Sequence, residues 1–275
     1  MTVNEISIEG YLYAMILTDS FSGYIWVYGI KTKDQTLSTL KKWSCDIAPL
    51  RANHKLITLM LDNAGENRSQ EIEEFIQSKD VQSRYSAPYE QWQDGQPETA
   101  IRTLTRLVRS IKAESGVSVR FWHHMLVAAA NASNVTYKTR INTTPFRAAY
   151  GEKKDVSKIR TFGCKTVVYL EPVRREGPGR FADRGFEGIN LGQAIDQNIS
   201  AYKIYLIKER TIRITNQVSF DEDYFPMKAA AMARAPKQPD EDPITTEDDF
   251  PPEEGDSGEI CSQLRLSSSE RWVQN

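Results

Sequence analysis

Asp19 closes the apolar run Tyr11-Leu-Tyr-Ala-Met-Ile-Leu-Thr, and Asp62 closes a second, Leu56-Ile-Thr-Leu-Met-Leu. Glu98 opens a helical stretch, with 35 residues between it and Asp62. Two acids at strand ends and one at a helix start can meet in space, and such a cluster can hold two Mg²⁺ ions. Two ions about 3.5–4 Å apart activate an attacking oxygen and stabilise a leaving one at a phosphodiester. Phosphoryl transfer on a nucleic-acid backbone is therefore the leading expectation.

The elements that must position these acids are legible in the pattern. Residues 11–30 read as two strands around the turn Ser20-Phe-Ser-Gly23, the first almost wholly apolar as a central strand requires. Asp34 is expected to cap a helix running to about Ile47. Residues 55–62 form the next strand, and Ser69–Gln77 a capped amphipathic helix with Ile72, Phe75 and Ile76 on one face. Val81–Tyr85 is a short strand. Ser86–Gly95 is a loop punctuated by Pro88 and Asp94-Gly95. Two helices follow, at about 97–115 and 119–137. Beyond Gly151, short strands are expected at 165–170, 186–191, 201–208 and 211–220. Several short strands with tight turns suggest a small β-barrel.

Composition bounds the alternatives. The chain has 275 residues, 40% of them hydrophobic and 26% charged, which suits one large domain or two smaller ones. No apolar stretch approaches the ~20 residues that span a bilayer, so no membrane partner is expected. The start shows no basic segment followed by an apolar one, so no secretory signal is expected. Three scattered cysteines, Cys45, Cys164 and Cys261, point to a reducing compartment and no disulfide framework. The net charge of −2 conceals an asymmetry: from Met227 onward five basic residues face eleven acidic ones, which leaves residues 1–226 at +4. A mildly basic body suits a polyanion, and the acidic, Pro- and Ser-rich tail is expected to be disordered.

Five segments carry a resemblance to a known family: Thr18-Asp-Ser-Phe-Ser-Gly23; Leu61-Asp-Asn-Ala-Gly-Glu66; Ser86-Ala-Pro-Tyr89 with Gly95 and Glu98; Thr144-Pro-Phe146 with Tyr150-Gly151; and Arg160-Thr-Phe-Gly-Cys164. Together they resemble the integrases of copia-type LTR retrotransposons, whose catalytic domain has the RNase H-like fold of retroviral integrases. The resemblance runs from about residue 8 to 225, with Phe220-Asp-Glu222 matching the usual end of the small barrel. It implies an α/β catalytic domain at 8–150 with a mixed central sheet flanked by helices, an SH3-like β-barrel at 155–225, and a disordered tail at 226–275. It also implies a triad of Asp19, Asp62 and Glu98 holding two Mg²⁺ or Mn²⁺ ions, and insertion of element cDNA into target DNA by a homo-oligomer in the nucleus after a cytoplasmic particle stage. In that chemistry 3′ ends are trimmed where needed, and each 3′-hydroxyl attacks a target phosphodiester. Departures exist. The family's His/Cys zinc module is not expected here, Asp94 stands where an Asn is usual, and Gln96-Pro97 precede the Glu where small apolar residues are common. Pro97 suits a first helical turn.

Other residues have two readings. Asp19 and Asp62 singly could be solvated strand-end acids, and Glu98 a first-turn acid favoured by the helix dipole. Glu66, Glu90 and Asp94 compete for the third ligand position. Arg102, Arg106 and Arg109 share roughly one helical face, either a solvated stripe or phosphate contacts that fix register without reading sequence. Asn63 is a turn residue or a DNA-positioning group. Tyr89 and Trp92 either stack on an unpaired base or pack their loop. Trp43 and Trp122 read as core or interface residues and Cys164 as a buried small residue. Arg174, Arg175, Arg180 and Arg184 are a solvated loop or a DNA contact. Adjacent His123 and His124 point about 100° apart on a helix, and no Cys-x₂-Cys pair accompanies them, so no zinc site is expected there. Two rival functions remain: a nuclease of the same fold that uses water alone, and a DNA-binding remnant or adapted host protein that no longer catalyses.

Overall fold

A computed structural model describes residues 1, 5–48, 58–61, 69–85, 95–169, 185–194 and 201–234. Residues 1–235 form one compact unit; 236–275 form a second, which lies outside the described residues.

Alternation of apolar side chains builds the first half. Strands β1 (Tyr13–Thr18) and β2 (Ile25–Ile30) pair antiparallel, with Tyr13 opposite Ile30 and Thr18 opposite Ile25. Successive residues of a strand face opposite sides. Ala14, Ile16, Ile25 and Val27 face one core, shared with Ala100 and Leu104 of α3 (Gly95–Ser115) and Trp122, Met125 and Leu126 of α4 (Trp122–Val135). Met15, Leu17, Trp26 and Tyr28 face a second core with Leu40 and Trp43 of α1 (Thr36–Asp46) and Ile72 and Ile76 of α2 (Gln70–Gln77). Helices therefore cover both faces of the hairpin, and Trp43 and Trp122 are buried as expected. Strands β3 (Thr58–Leu61) and β4 (Gln82–Tyr85) pair parallel. Among the described residues they are not bonded to β1–β2, so the expected mixed central sheet is present as two two-stranded ladders.

One cap differs from expectation. Asp34 falls inside a 3₁₀ turn at Lys33–Gln35, and Gln35 precedes α1 without a side-chain cap. The Thr36, Ser38 and Thr39 hydroxyls bond back to carbonyls of Lys33 and Gln35 instead.

Among the described residues, the expected SH3-like β-barrel is not formed. Strands β5 (Lys165–Tyr169), β6 (Gly185–Gln193), β7 (Tyr202–Leu206), β8 (Thr211–Thr215) and β9 (Val218–Asp221) make an open antiparallel sheet in the order β8-β7-β6-β5-β9. The single strand expected at 211–220 is two strands at opposite edges of this sheet, and they do not pair with each other. Both faces of the sheet find cover without closure. Ile189, Leu191, Tyr205 and Ile212 pack on Val117 and Phe121 at the junction of α3 and α4. Val168, Ile204 and Leu206 form the opposite core with Phe186, Val218 and Phe220.

The segment 160–164 joins this sheet to the helices. Asn190 Nδ2 donates to the carbonyls of Arg160 and Thr161, and the Gly163 N–H donates to the Asn190 carbonyl at 2.7 Å. Gly163 has φ +77° and passes so close to α3 that a Cβ would lie 2.4 Å from Ser115 Cβ. Cys164 is fully buried beside it, and burial, with Glu222 and Asp221 adding to it, pushes its thiol up to about 12. A protonated thiol is a packing group, as its place in the motif suggests.

Disorder was expected from residue 226, but Pro226–Arg234 is a helix. Met227 joins the core at Val117 and Phe121, and Lys228 reaches Glu114 at 3.4 Å. Gly116 ends α3 at φ +65° and leaves room for the Lys228 backbone, whose Cα would be 2.5 Å from a Cβ there. Met227 gives this stretch a contact with the core that a count of charges, weighted by the acidic residues beyond it, does not register. Among the described residues, no helix is long and apolar enough to cross a membrane.

Candidate functional site

Asp19 follows β1 directly and is held by its own turn. Its N–H donates to the Tyr24 carbonyl at 2.9 Å, and the Gly23 N–H donates to its carbonyl at 2.7 Å. Gly23 sits at φ +68°, where a side chain would be strained. The Ser22 N–H and hydroxyl both donate to Asp19 Oδ2, at 2.8 and 2.5 Å. One carboxylate oxygen is thereby fixed. Two donors on Oδ2 leave Oδ1 as the oxygen available to a ligand.

The turn is clamped from α4 and the segment after it. Asn134 is buried and makes a two-way bond to the Ile25 backbone: its Oδ1 accepts from the N–H at 2.9 Å, and its Nδ2 donates to the carbonyl at 2.8 Å. Arg140 donates to the carbonyls of Ser20 and Phe21, each at 3.3 Å, and Lys138 lies 3.5 Å from the Gly23 carbonyl. Partial burial, with Arg140 beside it, lowers the Lys138 pKa. Phe21 projects from the same turn and is 68% exposed. Two cations and an exposed ring thus stand next to the first acid. Sequence reading missed Lys138 and Arg140 because they lie more than a hundred residues from the turn they hold.

Glu98 lies in the first turn of α3, exposed to solvent. Its Oε1 accepts from Arg102 Nη2 at 3.1 Å, an i,i+4 pair in which both side chains are largely solvated. Arg102, Arg106 and Arg109 are all exposed on this helix, so the stripe is presented to solvent as the periodicity requires. Ala100 and Leu104 of the same helix pack with Ala14 of β1, so the strand that ends at Asp19 and the helix that begins near Glu98 share one core. Asp62, Asn63, Tyr89, Trp92, the competitors Glu66, Glu90 and Asp94, and the four arginines at 174–184 lie outside the described residues.

The described residues bring together a different set of ligands. Glu9, just before β1, meets His123 and His124 of α4, and their ligand atoms all lie within 4.8 Å of one another. His123 Nδ1 is 2.8 Å from Glu9 Oε2, and His124 Nε2 is 3.2 Å from Glu9 Oε1. The expectation that adjacent histidines diverge too far to share a site is corrected here. One ring uses its near nitrogen and the other its far nitrogen, and the different reach offsets the angle between the side chains.

The backbone around Glu9 is fixed. Ser7 Oγ accepts from the N–H groups of Glu9 and Tyr11, the Ile8 N–H donates to Arg120, and Trp122 Nε1 donates to the Glu5 carbonyl at 2.9 Å. Burial raises the Glu9 pKa, but the two facing imidazoles outweigh it and hold the carboxyl far below its usual range. Burial lowers the His123 pKa and Glu9 opposes it only in part, while the nearby Lys203 cation adds to the lowering. Glu9 left no signal in the sequence, since its partners are more than a hundred residues away.

No family model matches the chain. Its sequence is similar to retrovirus-related Pol polyproteins of plant transposons. It is 23% identical to that of RE1 from Arabidopsis thaliana over 234 residues, and 25% identical to that of TNT 1-94 from Nicotiana tabacum over 209 residues. These matches cover 85% and 75% of the chain but only 15% of each relative, so the chain spans about one seventh of the polyproteins it matches. Among solved structures it resembles a chain of the simian T-cell lymphotropic virus intasome bound to a PP2A regulatory subunit, at 14% identity and a TM-score of 0.44, covering 78% of this chain and 74% of that one. It also resembles the HTLV-2 integrase catalytic core domain with magnesium, at 18% identity and a TM-score of 0.40, covering 50% of this chain and 84% of that one. Over most of its length, the chain is therefore similar to a segment of transposon Pol polyproteins.

Proposed function

We propose that this chain is the catalytic core of a copia-type retrotransposon integrase with an RNase H-like fold, and that it joins element cDNA ends to target DNA in the nucleus. The observation that carries the reading is the Asp19 turn. A carboxylate with one oxygen fixed by Ser22 and the other open stands beside Lys138 and Arg140, on a chain related to Pol polyproteins.

Carboxylate oxygens suit a hard divalent cation such as Mg²⁺. Asp19 fits that role through Oδ1, and Asp62 and Glu98 would complete the set. The ions, when bound, supply charge stabilisation at the phosphoryl oxygens. This chain's own residues do the rest. Ser22 holds the orientation of Asp19. Arg102, paired with Glu98 at 3.1 Å, would be the group to meet a phosphate once Glu98 is engaged as a ligand. Lys138, Arg140, Arg106 and Arg109 draw the DNA backbone in without reading its sequence. A 3′-hydroxyl then attacks phosphorus in line, a new P–O bond forms, and the bond to the target strand's 3′-oxygen breaks.

A strand-transfer assay on labelled duplex with Mg²⁺ or Mn²⁺ tests this. Joined products lost in Asp19→Asn support it. Nicks without joined products favour the nuclease reading, and binding without cleavage favours the non-catalytic one. Assembly as a homo-oligomer belongs to the same proposal and is read by sedimentation with and without DNA.

A further inference from the structure

We propose that Glu9, His123 and His124 form a transition-metal site, separate from the acid cluster, that takes Zn²⁺ and fastens the segment before β1 to helix α4. The inference does not depend on the proposed integrase activity.

Four observations lead to it. The ligand atoms already converge, with both nitrogens close to the same carboxylate and all three groups within 4.8 Å. For a tetrahedral ion with bonds of ~2.1 Å, ligand atoms stand about 3.4 Å apart. Small side-chain movements connect the two arrangements.

The second observation is an orphaned nitrogen. His124 is 2% exposed, and its Nε2 is 3.2 Å from Glu9 Oε1 but off the line a hydrogen bond requires, so it has no hydrogen-bond partner. A buried polar atom without a partner costs about 1–3 kcal/mol. A cation placed between that nitrogen and the carboxylate removes the cost.

Third, the donor set selects the ion. Two imidazole nitrogens and one carboxylate oxygen match Zn²⁺ and poorly match Mg²⁺ or Ca²⁺, which prefer oxygen alone. The carboxylate supplies one negative charge against the nearby Lys203. Glu9 is the least buried of the three, its side chain 28% exposed, which gives an entry path and room for a water as fourth ligand.

Fourth, the site is braced. Ser7 fixes the Glu9 backbone, and the Ile8–Arg120 and Glu5–Trp122 bonds lock that segment onto the start of α4. Tyr11 meets the His123 ring edge-on with centroids 4.7 Å apart. Loading through His123 Nδ1 leaves that ring's single proton on Nε2, a change of tautomer that lets the neutral imidazole act as ligand.

The test uses the full chain, stripped with EDTA and titrated with Zn²⁺ by calorimetry in two buffers of different ionisation enthalpy. One ion per chain and a raised melting temperature are expected, with no competition from millimolar Mg²⁺. Co²⁺ in place of Zn²⁺ gives visible absorption from a four- or five-coordinate ion. Glu9→Gln and His124→Gln should each weaken Zn²⁺ binding at least tenfold, while Asp19→Asn and Glu98→Gln leave it unchanged. Circular dichroism checks folding. If His124→Gln does not fold, the partly exposed Glu9→Gln variant decides. Absence of stoichiometric uptake overturns the proposal. So does uptake that survives Glu9→Gln, or that is abolished by Cys45→Ser, which marks binding at the exposed thiol.

Discussion

The Asp19 turn and the Glu9–His123–His124 cluster both gather ionisable groups, yet they are built in opposite ways. Asp19 takes its fixed geometry from Ser22, three residues on, and Glu98 meets Arg102, four residues on, in a solvated pair. The acids themselves stay accessible. The Glu9 cluster spans more than a hundred residues, is largely buried, and has its carboxylate already faced by two imidazoles. Locally held carboxylates that solvent reaches are the ones an incoming cation would meet under the proposed function. A buried cluster joins segments that are distant in the chain and stiffens the fold. Substitutions in the first region should therefore change activity with little change in stability, and substitutions in the second should do the reverse.

The sharpest break of this contrast is Asp19→Asn. Strand transfer should fall on the order of 10²-fold or more, while the melting temperature stays close to wild type because the amide oxygen still accepts from Ser22. A large loss of stability would place Asp19 with the structural groups instead.

His124→Ala removes a buried ring from α4 and should cost about 2–4 kcal/mol by urea denaturation, in the range of large-to-small core changes. DNA affinity of the molecules that remain folded should be unaltered. A cost below 1 kcal/mol would show that the cluster contributes little to holding the segment before β1.

Acidification gives a smaller effect with a defined sign. His123 has a folded pKa below its unfolded value near 6.5, so the unfolded chain takes up a proton first and stability falls as pH drops below about 6.5. The depressed Glu9 carboxyl contributes stability that is present above its unfolded value near 4.5 and is lost as pH falls below it. In Glu9→Gln the decline between pH 7 and 5 should steepen, since His123 loses the anion that partly stabilises its charged form. The loss below pH 4.5 should shrink. Chemical denaturation at stepped pH reads both.

Arg102→Ala should have the smallest effect. Stability should move by no more than about 0.5 kcal/mol, as for an exposed pair. The slope of log affinity for DNA against log salt should become shallower by about 1, equally for unrelated sequences. An unchanged slope would mean that the stripe on α3 is solvated only.

Local pattern was enough to place the hairpin, the separate strands β3 and β4, the helices α2, α3 and α4, and Asp19 and Glu98 at a strand end and a helix start. In each case the determining physics is periodicity: alternate residues of β1 and β2 face two cores, and Ala100 and Leu104 turn the same face of α3 to the strand. Turn chemistry was local too, since Gly23 is required by a positive φ within four residues of Asp19.

What only the tertiary structure decided concerns partners. Whether the strands after Gly163 close into a barrel depends on what covers their two faces, and the junction of α3 and α4 covers one of them, so the sheet stays open. The order in the helix Pro226–Arg234 depends on a hollow at Gly116 and on the core that receives Met227. Lys138 and Arg140 acquire a role only when α4, keyed to Ile25 by Asn134, brings them to the Asp19 turn. Adjacent histidines read as divergent by angle alone, and they converge because Glu9 arrives between two ring nitrogens of different reach. Sequence spacing encodes which way a side chain points from its own backbone; it carries no record of what waits there.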